Sequence, residues 1–130
     1  MTISTLITNG ISVSVESLYR PEYSRPLNSH FLFSYRVTIE NRSESYVQLL
    51  RRHWHIFDST GNKSEVEGAG VIGEQPVLAP GDSYTYESAC NLITDIGKMR
   101  GTYLFEKKND NSLFEVEIPQ FLLVAAFKLN

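Results

Sequence analysis

Apolar and polar positions alternate with a period of two along most of this chain, and no stretch carries the three-to-four spacing of an amphipathic helix. Ile11, Val13 and Val15 alternate with Ser12, Ser14 and Glu16. Phe31, Phe33, Tyr35, Val37 and Ile39 alternate with Ser34, Arg36, Thr38 and Glu40, the clearest strand of all. Turn chemistry at Asn41–Ser45 leads into a long aromatic strand, Tyr46–Phe57, and Asp58–Asn62 closes it as a hairpin. A short strand at Lys63–Glu67 precedes a glycine-spaced loop, Gly68–Gly73. Tyr84, Tyr86 and Ser88 alternate again, Asn91–Arg100 reads as irregular, and Gly101–Lys107 and Phe114–Ile118 read as strands. Pro119 is expected to end the last of these.

Seven or eight short strands separated by turns predict an all-β, antiparallel β-sandwich in a single domain over residues 1–130. Trp54, alone of its kind and mid-strand, is placed like the core tryptophan of immunoglobulin-type domains. Tyr84 in Leu78-Ala79-Pro80-Gly81-Asp82-Ser83-Tyr84 suits a tyrosine corner, its hydroxyl returning to upstream backbone. Cys90 is the only cysteine, so a disulfide-free, fibronectin type III-like arrangement is the nearer analogue.

Composition narrows the function classes. A formal charge of −3 provides no field to attract nucleic acid or anionic lipid. The longest apolar run, Phe121–Phe127, is too short to span a bilayer, and the first residues lack the basic and apolar regions of a signal peptide. With a lone cysteine these features suggest a cytoplasmic location.

Gly68, Gly70 and Gly73 match the spacing of a dinucleotide fingerprint, but Pro76 and Pro80 follow at once where a helix would have to begin. The weaker reading is a backbone anion nest that binds a phosphate-bearing small molecule with help from Arg51 or Lys63. The bland reading is a loop that needs positive φ and close backbone packing. If Leu50, Trp54 and Ile56 face the core, Arg52 does too; a buried guanidinium requires a carboxylate or an anionic ligand, and an ion pair with Glu65 or Glu67 across the hairpin is the expected solution. Arg51 then points to solvent. His53 and His55 share the opposite face with Arg51, and without ligands from another segment no metal site is expected. Cys90 lacks a neighbouring base and reads as an apolar filler, so no catalytic constellation and no cofactor is expected.

Val47-Gln48-Leu49-Leu50 with Arg52 and Trp54, then Glu65-Val66-Glu67-Gly68-Ala69-Gly70-Val71-Ile72-Gly73, resembles the ApaG family. The resemblance continues through Gln75-Pro76, Pro80-Gly81, Tyr84, Tyr86, Gly97, Met99, Gly101, Tyr103 and Ile118-Pro119-Gln120-Phe121. It implies a fibronectin type III or immunoglobulin-like sandwich that acts as a non-enzymatic binding module, with a protein partner and either a monomeric or a weakly dimeric state. It also implies two further expectations: pyrophosphate or nucleotide phosphates at the Gly68–Gly73 loop, and, as the alternative function, a soluble accessory factor in divalent cation (Co²⁺/Mg²⁺) efflux or resistance.

Overall fold

A computed structural model describes residues 3–125; Ala126 and Phe127, the end of the apolar run that begins at Phe121, lie outside them. Nine strands are described: β1 (Ile3–Thr8), β2 (Ile11–Tyr19), β3 (Phe31–Asn41), β4 (Val47–Asp58), β5 (Lys63–Ala69), β6 (Val77–Leu78), β7 (Ser83–Leu92), β8 (Ile96–Lys107) and β9 (Leu113–Val124). Two short 3-10 turns at Pro21–Tyr23 and Pro26–Asn28 connect β2 to β3, each opened by its proline. All pairings are antiparallel and make two sheets, β1-β2-β3-β7 and β5-β4-β8-β9, with β6 added to β4 beyond β5. The expected antiparallel sandwich of the fibronectin type III or immunoglobulin-like class is what the chain forms.

Alternation places one face of each strand in the core. Ile11, Val13 and Val15 of β2 and Val37 and Ile39 of β3 are fully buried from one sheet; Leu49, Tyr103, Phe105 and Leu123 are buried from the other. Trp54 is 2% exposed and lies between the sheets. Its ring meets Tyr35 of the facing sheet edge-on at 5.3 Å and Phe121 at 5.9 Å, the tilted geometry that aromatic quadrupoles favour. Tyr86 of β7 and Tyr103 of β8 join their hydroxyls by a hydrogen bond across the core. Desolvation raises both phenols above their usual pKa, so they stay neutral.

Four sequence expectations change here. Ile3–Thr8 forms an edge strand that the pattern did not announce, because most of its side chains are exposed and do not alternate. Ile96–Arg100, read as irregular, is the first half of β8, paired to both β4 and β9. Pro119 does not end β9: the register with β8 slips between Met99 and Gly101, and β9 accommodates one extra residue at Pro119–Gln120. An edge strand with a bulge tolerates the missing donor. Finally, among the described residues no hydrogen bond runs from the Tyr84 hydroxyl to upstream backbone; that ring is half-buried beside Tyr86 at 6.3 Å. Asn41 ties this corner instead. Fully buried, it donates from Nδ2 to the carbonyls of Ser45 (2.8 Å) and Leu78 (3.0 Å), while its own backbone pairs with Gly81 and Asp82.

Candidate functional site

The β4–β5 hairpin carries most of the residues singled out from sequence. Its turn is organised by Asp58, whose Oδ1 accepts from the Thr60 amide (2.9 Å), the Thr60 hydroxyl (2.7 Å) and the Asn62 amide (3.1 Å). These bonds, the Thr60 hydroxyl first, hold the carboxyl below its usual pKa. The turn fixes the register as Arg52↔Gly68, His53↔Glu67, Trp54↔Val66 and His55↔Glu65. Glu65 and Glu67 therefore share a face with the histidines, not with Arg52.

Arg52 does lie on the Trp54 side, but among the described residues neither Glu65, Glu67 nor any other carboxylate pairs with it. Its Nη1 donates to the carbonyls of Ala69 (3.1 Å) and Gly70 (3.0 Å), so backbone dipoles, not a carboxylate, hold the guanidinium. Gly68 makes room for it: a Cβ there would sit 2.9 Å from Nη1. A bulge explains the parity. Leu49 pairs with Phe105 and Arg51 with Leu104, leaving Leu50 as the extra residue. Leu49 is fully buried and Leu50 is not, and only beyond the bulge do Arg52, Trp54 and Ile56 turn inward. Arg51 is exposed, as expected.

The glycine loop is fastened to that bulge. The Leu50 carbonyl accepts from the Gly70 amide (2.8 Å) and from Gln75 Nε2 (2.9 Å). Val71 and Glu74 exchange both backbone bonds, at 2.8 and 2.9 Å, around Ile72 (φ 49°) and Gly73 (φ 74°), which makes a two-residue hairpin with both central residues left-handed. Gly70 has φ 63°, and a Cβ on it would lie 2.1 Å from the Glu74 carbonyl oxygen. Val71 is fully buried beneath the loop. Gly70 thus gives its amide to Leu50 and Gly68 belongs to the β5 ladder, so the amides of these two glycines are already engaged within the fold. Lys63 starts β5, six residues from Ala69 and so roughly 20 Å from the loop, and its Nζ lies 5.9 Å from the Phe57 ring.

On the outer face the hairpin assembles a cluster that the sequence reading kept apart. His53 Nε2 is 2.8 Å from Glu65 Oε1 and 3.4 Å from Glu67 Oε1; His55 Nδ1 is 3.5 Å from Glu65 Oε1. The two imidazoles stack with centroids 4.4 Å apart. The hydrogen bond from His53 holds the Glu65 carboxyl below its usual pKa. Desolvation, then the neighbouring His53, lowers the pKa of His55. The signal was available in the sequence: a hairpin centred on Thr60 pairs residue 55 with 65 and 53 with 67.

Cys90 is buried opposite Phe33, and burial pushes its thiol up to about 11, which suits a packing group and not a nucleophile. Among the described residues no helix is long and apolar enough to cross a membrane.

Comparison with known proteins agrees with this architecture. The ApaG domain family matches residues 21–107. A protein named ApaG from Brucella canis is 50% identical over 117 residues, covering 90% of this chain and 89% of the relative. Among solved structures, one described as the ApaA protein from Bordetella pertussis superposes with a TM-score of 0.86 at 44% identity, over 88% of this chain and 93% of that one. A second, a structural-genomics target called SoR45, gives 0.87 at 37% identity over 96% and 94% of the two chains. With the sandwich, the loop-bearing hairpin and these relatives in agreement, the chain belongs to the ApaG domain family.

Proposed function

We propose that this chain is a non-enzymatic binding module that receives an extended segment of a partner protein along the open edge formed by β5. The observation that carries this reading is the backbone of that strand. Asp58 N bonds Asn62 O at one end of the hairpin and Gly70 N bonds Leu50 O at the other. Antiparallel alternation between them turns the backbone groups of Ser64, Val66 and Gly68 toward β4, and those of Lys63, Glu65 and Glu67 outward. No described strand covers that side. Apolar side chains line the same margin: Val66 is 42% exposed, Ile72 59% and Val77 49%. An added strand would take its affinity from the outward amides and carbonyls and its specificity from these side chains.

The opposite margin supports the choice by contrast. There the outer backbone of β9 is already met by the facing sheet, with the Glu117 amide donating to Thr8 Oγ1 and Ser17 Oγ donating to the Leu122 carbonyl. An open edge is a liability that proteins normally blunt, so one flanked by exposed valine and isoleucine suits a docking site.

Glu67→Pro tests the reading, because that position's amide faces away from β4 and proline there spares the internal ladder. A photo-crosslinker at Val66 in living cells should trap a discrete partner, and Glu67→Pro should abolish the adduct while leaving the thermal transition within a few degrees of the parent. An adduct unchanged by Glu67→Pro would exclude strand addition at this edge.

A further inference from the structure

The geometry points to a binding site for one borderline divalent transition-metal ion, of the Zn²⁺, Ni²⁺ or Cu²⁺ kind, on the outer face of the β4–β5 hairpin, held by His53, His55 and Glu65. One donor atom from each lies within 4.8 Å of the other two. Bonds of ~2.0–2.1 Å from a tetrahedral ion place neighbouring ligand atoms about 3.3 Å apart. The present separations of 2.8 Å (His53 Nε2 to Glu65 Oε1) and 3.5 Å (His55 Nδ1 to Glu65 Oε1) bracket that value. Small side-chain rotations open the first and close the second. Glu67 Oε1, 3.4 Å from His53 Nε2, or a water completes the set.

A second observation separates this cluster from an ordinary surface ion pair. His55 Nδ1 is cut off from solvent and has no hydrogen-bond partner, while its ring is stacked on His53. A shielded ring nitrogen without a partner is costly, and Glu65, already bonded to His53, does not satisfy it. An ion between the rings and the carboxylate satisfies both nitrogens and the carboxylate together. The ligating form of each imidazole is the neutral one, which predominates for histidine above its ordinary pKa. Backbone register preorganises three of the ligands, because His55 and Glu65 are directly cross-strand and His53 is two residues along the same face. Lys63 and Arg100 lie close enough to His55 to oppose a cation, and Glu65 and Glu67 offset them. Two imidazoles and one carboxylate select against Mg²⁺ and Ca²⁺, which require mostly oxygen ligands in larger number.

This site is independent of the strand-addition reading, since Glu67→Pro leaves His53, His55 and Glu65 in place. The test titrates the full chain with Zn²⁺ and with Ni²⁺ against a chromophoric chelator at about pH 7.5, where histidine is mostly neutral. Long-range nitrogen spectra of the imidazoles are recorded on the same samples. One ion per chain should bind, shifting both the His53 and His55 ring nitrogens, and Mg²⁺ in large excess should not displace it. His53→Gln, His55→Gln and Glu65→Gln should each weaken binding by more than about tenfold, the cost of losing even an outer-shell partner. His30→Gln should not change it. Absence of chelator competition, unshifted imidazoles in the parent, or His53→Gln and His55→Gln variants that bind as tightly as the parent would each overturn the site. The imidazole spectra of the parent decide the matter if a variant does not fold.

Discussion

On the inner face of the β4–β5 hairpin, Trp54 sits among Tyr35, Tyr103 and Phe121, and Arg52 reaches over Gly68 to the carbonyls of Ala69 and Gly70. On the outer face, one residue away in the chain, His53 and His55 stack on each other against Glu65 and Glu67. The inner face is held by shape: rings meet edge to face, and the guanidinium finds carbonyl dipoles where no carboxylate is within reach. The outer face is held by charge and hydrogen bonds in partial contact with water, where exposed ion pairs contribute little to stability. Identical backbone geometry thus supports a structural layer on one side and a chemically available layer on the other. Function on a β-sandwich belongs on the side where a side chain can change partners without collapsing the core.

The contrast breaks most visibly at its inner anchor. Trp54→Ala should cost ~3–5 kcal/mol in urea unfolding, because the cavity it leaves between the sheets is lined by rigid rings. Gly70→Val should cost at least about 2 kcal/mol, combining a left-handed φ with a Cβ driven into the Glu74 carbonyl. Arg52→Ala should cost about 2 kcal/mol, the scale of charge-assisted bonds to two carbonyls plus lost stem packing. The ~3–5 kcal/mol of a broken buried ion pair is not expected, because there is no carboxylate to strand. Urea midpoints of both variants check these values.

The outer face should answer to pH instead. The pKa of His55 is lowered in the folded chain, so the unfolded chain takes up its proton first. Its contribution is fully present above the ordinary histidine value of 6.5 and is lost as pH falls through that value toward the folded pKa. Glu65 has a depressed folded pKa as well, and its contribution disappears only lower, as pH falls from the ordinary carboxylate value of 4.5. Thermal midpoints recorded with chelator present should therefore decline in two separated steps. His55→Leu should remove the upper step and keep the lower; an unaltered profile would place the titrating group elsewhere. This is the smallest of the expected effects, and added Zn²⁺ should enlarge the upper step, because protons and metal compete for the same imidazoles.

The sandwich, the inward Trp54 and the Asp58–Asn62 turn were legible because each depends on neighbours in sequence: alternation is a two-residue property and a tight turn a five-residue one. The inward orientation of Arg52 was legible for the same reason, though through the wrong route. Leu50 was expected inside, whereas Leu49 is buried and the bulge at Leu50 restores the parity. That bulge is visible only when β8 is laid beside β4. The partner of Arg52 depended on it too, since the bulge carbonyl captures Gly70 and brings the loop under the guanidinium. Edge strand β1 carries no alternation because most of its side chains face solvent, and Pro119 stays within β9 because a bulge against β8, visible only when the two strands are laid side by side, takes up the extra residue. The His53–His55–Glu65 cluster stands between the two cases. Counting outward from Thr60 pairs these residues correctly, but their stacking and the shielding of His55 Nδ1 come from packing in three dimensions. Sequence alone determined which residues alternate and where the chain turns. Tertiary structure decided which carbonyl meets which donor, because hydrogen bonds between distant strands carry no local signature.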